Sequence, residues 1–220
     1  MGINKRYTDK TPISDFCVHL TSFGIMYTYK TSIYVFCVYL LRMNQSLAIE
    51  RLSALDQQGR YVFAYQDIAK VFPEDSTRTL KAGLNRLVKQ GFLIRAIKGI
   101  YVFALSQQKG KDTLELIAKT MRRGEYNYLS LESALSEYGV ISQIPIDRLT
   151  VMTTGRKGEY ATPFGTIEFT HTKRPISQII DSIHSIGRPL RLATKETAWR
   201  DLKRVGRNTH LVDEQVVYED

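Results

Sequence analysis

The sequence predicts an α+β protein in two parts, and three observations predict it. Apolar residues recur at helical spacing in some stretches and in short β-prone runs in others. A polar joint, Ser106-Gln107-Gln108-Lys109-Gly110-Lys111, separates residues 43–105 from residues 111–220. The cationic excess is uneven: residues 1–42 carry net +3, residues 43–110 net +5 and residues 111–220 net +1. With 220 residues, 43% of them apolar, the chain can bury one large or two small cores, which excludes the disordered and collagen-like classes. The total of 31 Lys and Arg against 22 Asp and Glu, +9, points to a polyanionic partner.

Residues 1–42 read as an N-terminal extension, because Met43 opens a stretch (MNQSLAIERL) that resembles an ordinary domain start. The run at 33–41 (IYVFCVYLL) is the most apolar in the chain, but Lys30 and Arg42 leave at most 11 residues without charge. A membrane span needs about 20, so a buried strand or short helix is expected there, and no membrane association. Cys17 and Cys37 form no C-x-x-C pair and fit a reducing cytoplasm. His19, His171, His184 and His210 lack ligand spacing, so neither a metal nor a cofactor is expected.

From residue 44 the elements follow in order. Asn44 is placed to cap a helix carrying Leu47, Leu52 and Leu55, closed at Gly59. Tyr61 to Ala64 reads as a short strand, residues 66–72 as a short helix stopped by Pro73. Ser76 then offers its hydroxyl to a helix over 76–90, with Gly91 as its stop. At about 100° per residue, Leu80, Leu84, Leu87 and Val88 share one stripe of that helix, while Arg78, Ala82, Asn85 and Lys89 share the other, flanked by Lys81 and Arg86. Residues 92–96 and 100–104, around a Lys98-Gly99 tip, predict a hairpin.

Helix, strand, helix, helix, hairpin is the order of a winged helix-turn-helix, whose third helix enters the major groove and whose hairpin is the wing. Between Ser76 and Lys98 there are six cations and no acid. Arg78, Lys81, Arg86 and Lys89 suit guanine edges or phosphate, Asn85 an adenine edge, and the helix start at Ser76 and Thr77 a phosphate. Arg95 and Lys98 are set for backbone or minor-groove contact. The expected partner is double-stranded DNA.

The second part reads as a mixed α/β body. Helices are expected over 112–122 (Leu114, Ile117, Ala118 and Met121 on one face) and over 130–138, and strands over 149–153 and 166–170 with a turn at 155–158. The period over 176–186 fits a helix or an interrupted strand pair. A strand at 191–193 and a Thr194-capped helix through Trp199 and Leu202 to Gly206 complete it, with Trp199 expected in the core. Arg156, Lys157, Arg200, Lys203, Arg204 and Arg207 form a candidate second phosphate-contacting surface. No catalytic set is expected. Asp147, Glu159 and Glu168 are the nearest to a nuclease carboxylate cluster, but Glu168-Phe169-Thr170 lacks the lysine of a D…E-x-K site, and Gly155 to Gly158 lacks the spacing of a phosphate-cradling loop.

Four strings together resemble the AbiEi family of antitoxins from abortive-infection systems. They are Tyr128-Leu129-Ser130-Leu131-Glu132-Ser133-Ala134-Leu135 with Tyr138-Gly139-Val140-Ile141; Leu149 to Thr154 before a basic turn; Leu192 to Ala198 opening the last helix; and Leu84 to Gly91 with Ile97 to Tyr101. The resemblance spans about residues 44–208. It implies an antitoxin and autorepressor of a type IV toxin–antitoxin operon, which binds inverted repeats in its own promoter as cooperative monomers or as a dimer. It also implies that the C-terminal domain counteracts a nucleotidyltransferase toxin without a stable complex. Where the family opens its last helix with "P-E-K-A-L", this chain has Lys195-Glu196-Thr197-Ala198-Trp199. A stand-alone regulator without a toxin and a DNA-directed nuclease are the alternatives.

Overall fold

In a computed structural model, which describes residues 43–110, 112–141, 147–213 and Val217, the first helix starts at Asn44. Cys17, Cys37, His19 and the apolar run at 33–41 lie outside the described residues. The Asn44 side chain accepts the Leu47 N–H at 2.8 Å and caps α1 (Gln45–Asp56), which buries Ala48 and Leu52. Strand β1 (Val62–Ala64) leads directly into α2 (Tyr65–Val71), and Pro73 follows its end. Ser76 caps α3 (Thr77–Lys89), and strands β2 (Leu93–Ile97) and β3 (Ile100–Phe103) form an antiparallel hairpin. The three strands make a sheet in the order β1-β3-β2.

Phe63, Ile68, Phe72, Leu80, Leu84, Leu93 and Phe103 fill the space between this sheet and the helices, each 2% exposed or less. Each such side chain contributes about 1.5–3 kcal/mol relative to exposure. Gly83 lies inside α3 because the Met43 side chain crosses it: a Cβ there would stand 2.1 Å from the Met43 methyl carbon. The Met43 N–H donates to Asp75 at 3.0 Å, so the residue that precedes α1 is anchored to the loop before α3.

The second part begins with α4 (Thr113–Met121), followed by β4 (Asn127–Leu129), α5 (Leu131–Glu137), β5 (Arg148–Thr153), β6 (Gly158–Thr162) and β7 (Gly165–His171). Then come α6 (Ile176–Ile180), β8 (Ile183–His184), β9 (Arg191–Ala193), α7 (Lys195–Val205) and a 3-10 turn at Thr209–Leu211. The strands form a mixed sheet in the order β6-β7-β5-β4-β9-β8, with β5/β7 and β4/β9 parallel and the other neighbours antiparallel. Helices α5 and α7 pack on each other, and α5 also packs on β5. The protein is therefore mixed α+β.

Residues 43–220 form one compact unit, and α4 is the reason. It packs on β1 and β3 of the first sheet and on β5 and β7 of the second. Tyr61 Oη and Thr113 Oγ1 meet at 3.1 Å in the buried seam, and the edge strands β2 and β6 lie against each other. On the apolar face of α4, Ile117 and Ala118 are fully buried and Leu114 and Met121 partly buried against the core, but the buried side is wider than the pattern predicts and also takes in Thr113 and Glu115. Glu115 accepts from Arg188 and from the Leu190 N–H (3.2 Å), both from a distant loop, and those donors satisfy it inside. The ambiguous stretch at 176–186 contains both elements, one turn of helix and then a two-residue strand.

On the inner side of α7, Asp201 is 1% exposed and accepts from Ser130 Oγ (2.9 Å) and Tyr128 Oη (3.2 Å). Burial, reinforced by the Asp201 charge, pushes the Tyr128 phenol up to about 12.

Candidate nucleic-acid interface

Helix α3 divides into two faces. Leu80, Leu84 and Leu87 are buried and Val88 is half-buried, while Arg78, Lys81, Ala82, Asn85, Arg86 and Lys89 are exposed. Ser76 Oγ accepts the Thr79 N–H at 3.3 Å, leaving the first N–H groups of the helix, around Thr77, directed outward. Gly91 at φ +78 closes the helix in the left-handed region, which lets the chain turn into β2.

The hairpin is held by the same part. Gly99, at φ +84, takes the tight turn next to Lys98, and its carbonyl accepts the Tyr65 N–H at 2.8 Å, tying the tip to the start of α2. Arg95 pairs with Tyr101 across the hairpin, and the register shifts between Arg95 and Ile97. Arg95 and Lys98 are exposed. Among the described residues, no acid pairs with Arg78, Lys81, Arg86, Lys89, Arg95 or Lys98. Within the described residues, Arg86 alone of these six makes a hydrogen bond, donating to the Met43 carbonyl at 3.1 Å. These cations therefore keep their donors available to a phosphate or a base edge.

A clamp absent from the sequence reading fixes α2 to the second part. Arg123 donates to both oxygens of Asp67 at 2.7 Å, and Asp67 also accepts the Ala64 N–H at 3.0 Å. The Arg123 hydrogen bonds hold the Asp67 carboxyl below the usual carboxylate range, against the opposing effect of burial. Its two partners are 56 residues apart, and no local motif announces the pair.

The second set of cations is arranged differently. Arg156 and Lys157 are exposed in the turn before β6; Arg200, Lys203 and Arg204 are exposed on α7. Lys203 lies 5.0 Å from the ring centre of Trp199, itself 2% exposed, as its core position predicts. Arg207 is half-buried and committed, a departure from the free surface cation expected at this position. It donates to Glu132 at 2.9 and 3.2 Å and to Glu168, so its donors are not available to a phosphate. Arg148 bridges Glu159 (2.8 Å) and Glu168 (2.9 Å), and Asp147 sits at φ +58 with its carbonyl accepting the Thr166 N–H at 2.7 Å. Among the described residues no cluster of His, Cys, Asp or Glu is arranged to hold a metal ion. Among them, too, no helix is long and apolar enough to cross a membrane.

No protein-family model matches the chain, and no curated protein matches it. Its fold is similar to that of a solved structure, the RV2827C protein from Mycobacterium tuberculosis, with a TM-score of 0.51 at 13% identity. The match takes in 72% of this chain and spans 60% of the other, and at that identity it bears on fold alone.

Proposed function

We propose that this chain is a duplex-DNA-binding repressor whose residues 43–105 act as a winged helix-turn-helix. Helix α3 is the reading helix and the β2–β3 hairpin the wing. The observation that carries this reading is the outer face of α3 and the hairpin: Arg78, Lys81, Asn85, Lys89, Arg95 and Lys98 are exposed with no acid partner among the described residues. Arg and Lys there neutralise phosphates or reach guanine, Asn85 reaches adenine, and the capped start of α3 faces a phosphate.

The wider role follows from the resemblance to the AbiEi family. In that reading the chain is a cytoplasmic antitoxin that represses its own operon. Its second part counteracts a nucleotidyltransferase toxin by a route other than a stable complex, and it acts by binding rather than by catalysis. A mobility-shift titration against the upstream region of its own gene tests the first claim. The parent retards the fragment, and Arg78→Ala with Lys81→Ala weakens binding by about 100-fold, two contacts at 1–3 kcal/mol each. Unchanged affinity in that variant defeats the assignment. Co-expression with the adjacent gene tests the second claim: relief of growth arrest that survives deletion of residues 111–220 would overturn it.

A further inference from the structure

Strands β5 and β7 are parallel, with Thr153 beside His171, so their C-terminal ends lie together, and β4 starts at that same end because it runs antiparallel to β5. An open cleft of about 570 Å³ occupies this end, lined by Glu125, Thr154, Gly155, Arg156, Lys157 and His171. Its floor is a fixed turn. The Gly155 carbonyl accepts from His171 Nδ1 at 2.8 Å, and the Arg156 carbonyl accepts from Arg122 Nε and Nη2 at 3.3 and 3.2 Å. Arg122 is held in turn by the Tyr160 hydroxyl at 2.8 Å and lies 4.7 Å from the Phe169 ring centre. Gly155 is tightly packed, since a Cβ would stand 3.1 Å from Glu125 Cγ and 3.3 Å from Thr153 Oγ1.

The consequence is a preorganised display. These two backbone carbonyls of the turn point inward and are satisfied, while Arg156 and Lys157 are exposed with no acid partner among the described residues. A carbonyl can only accept, so the neutral His171 ring carries its proton on Nδ1 and keeps Nε2 as an acceptor. The acid in the lining, Glu125, accepts from Thr154 Oγ1 at 2.6 Å. Tyr126, next to Glu125 in the chain and outside the lining of the cleft, is 37% exposed, with its backbone bonded to Thr154 in both directions at 3.1 Å. Arg204 reaches the His171 carbonyl at 3.5 Å, which brings one cation of α7 to the same end.

We propose that this cleft binds single-stranded nucleic acid, with Arg156 and Lys157 on successive phosphates and Tyr126 stacked on an unpaired base. The chemistry is that of single-strand grooves, which join cations tracking the backbone to exposed aromatic rings. The cleft's volume is that of a site for small ligands, suited to a few unstacked nucleotides; the bases of a duplex are paired and out of Tyr126's reach. The site stands whether or not α3 reads duplex DNA.

Fluorescence anisotropy with the full chain, using labelled oligo(U) and oligo(dT) of about 12 nucleotides and a duplex of the upstream region, tests it. The parent binds the single strands, and Arg156→Ala with Lys157→Ala weakens that binding at least about tenfold while leaving the duplex within about twofold. The charge-keeping pair Arg156→Lys with Lys157→Arg restores it. Tyr126→Ala costs about fivefold or more, and Tyr126→Phe does not, because the ring and not the hydroxyl stacks. Preference for oligo(U) assigns RNA through its 2′-hydroxyls, equal affinity assigns any single strand, and both support the site. Failure of the parent to bind either oligonucleotide overturns the proposal. So does an equal loss on the duplex, which would make the turn part of a duplex footprint, or a loss confined to Arg78→Ala with Lys81→Ala.

Discussion

Helices α3 and α7 are close to twins in sequence logic. Each is capped by a hydroxyl, Ser76 and Thr194; each buries a leucine completely, Leu84 and Leu202; each is followed by a glycine in the left-handed region, Gly91 and Gly206. Each also turns a row of cations outward. The difference is what those cations meet. On α3 they face no acid among the described residues. The exposed Arg200, Lys203 and Arg204 of α7 face no acid among the described residues either, but they are engaged locally: Arg200 donates to Thr197 Oγ1 at 3.2 Å, Lys203 lies over Trp199, and Arg207, just beyond the helix, is taken by Glu132 and Glu168. A cationic helix face can thus be two different objects, a row of mostly unengaged side chains on α3 and a row engaged by its neighbours on α7. The count of charges does not separate them; the neighbours that engage Arg200, Lys203 and Arg207 do.

Substitutions on the two helices sharpen the contrast, beginning with their shared inner face. Leu84→Ala and Leu202→Ala each lower unfolding free energy by about 3 kcal/mol in urea titrations, since both side chains are 0% exposed and each leaves a cavity. The outer faces then part. Arg78→Ala with Lys81→Ala lowers the log–log salt slope of duplex binding by about 2, whereas Arg200→Ala with Lys203→Ala leaves affinity within about twofold; a matching loss on α7 breaks the comparison. In stability the order reverses. Arg207→Ala costs about 1–2 kcal/mol by stranding Glu132, 7% exposed, although Asn208 Nδ2 still donates to it at 2.9 Å; Lys89→Ala costs under about 0.5 kcal/mol.

A pH-dependent effect concerns the clamp that ties α2 to the second part. Arg123 holds the Asp67 carboxyl below its ordinary value, so the native state binds that proton less readily than the unfolded chain. The associated stability is complete above about pH 4, the unfolded value, and disappears as pH falls through the lower folded value. Asp67→Asn costs about 1 kcal/mol at neutral pH, given the exposure of Arg123, and removes that part of the acid limb in denaturation followed by circular dichroism.

Local rules carried the first part well. Asn44, Ser76 and Thr194 cap the helices they precede, the leucine stripe of α3 is buried, and the Lys98-Gly99 tip is a hairpin turn. The α+β class was legible for the same reason, because each element announces itself within a few residues. What was not legible depends on partners far along the chain. Strands β4 and β6 carry too few apolar residues to signal alternation, and they exist as strands because β5 and β7 supply their ladders. The burial of Glu115 and the commitment of Arg207 are long-range pairings, 39 to 75 residues apart, that no period encodes. The same holds for the turn at Gly155: its basic residues were visible, but not the His171 and Arg122 bonds that set it rigidly.

One further result comes from the meeting of β2 and β6. Each is the last strand of its own sheet, and an unpaired strand edge is a template on which other chains stick. Because the two strands lie against each other, the seam that joins the halves is expected to restrict access to both edges. A lesion that opened it, even one far from any nucleic acid, would first show itself as insolubility rather than as lost recognition.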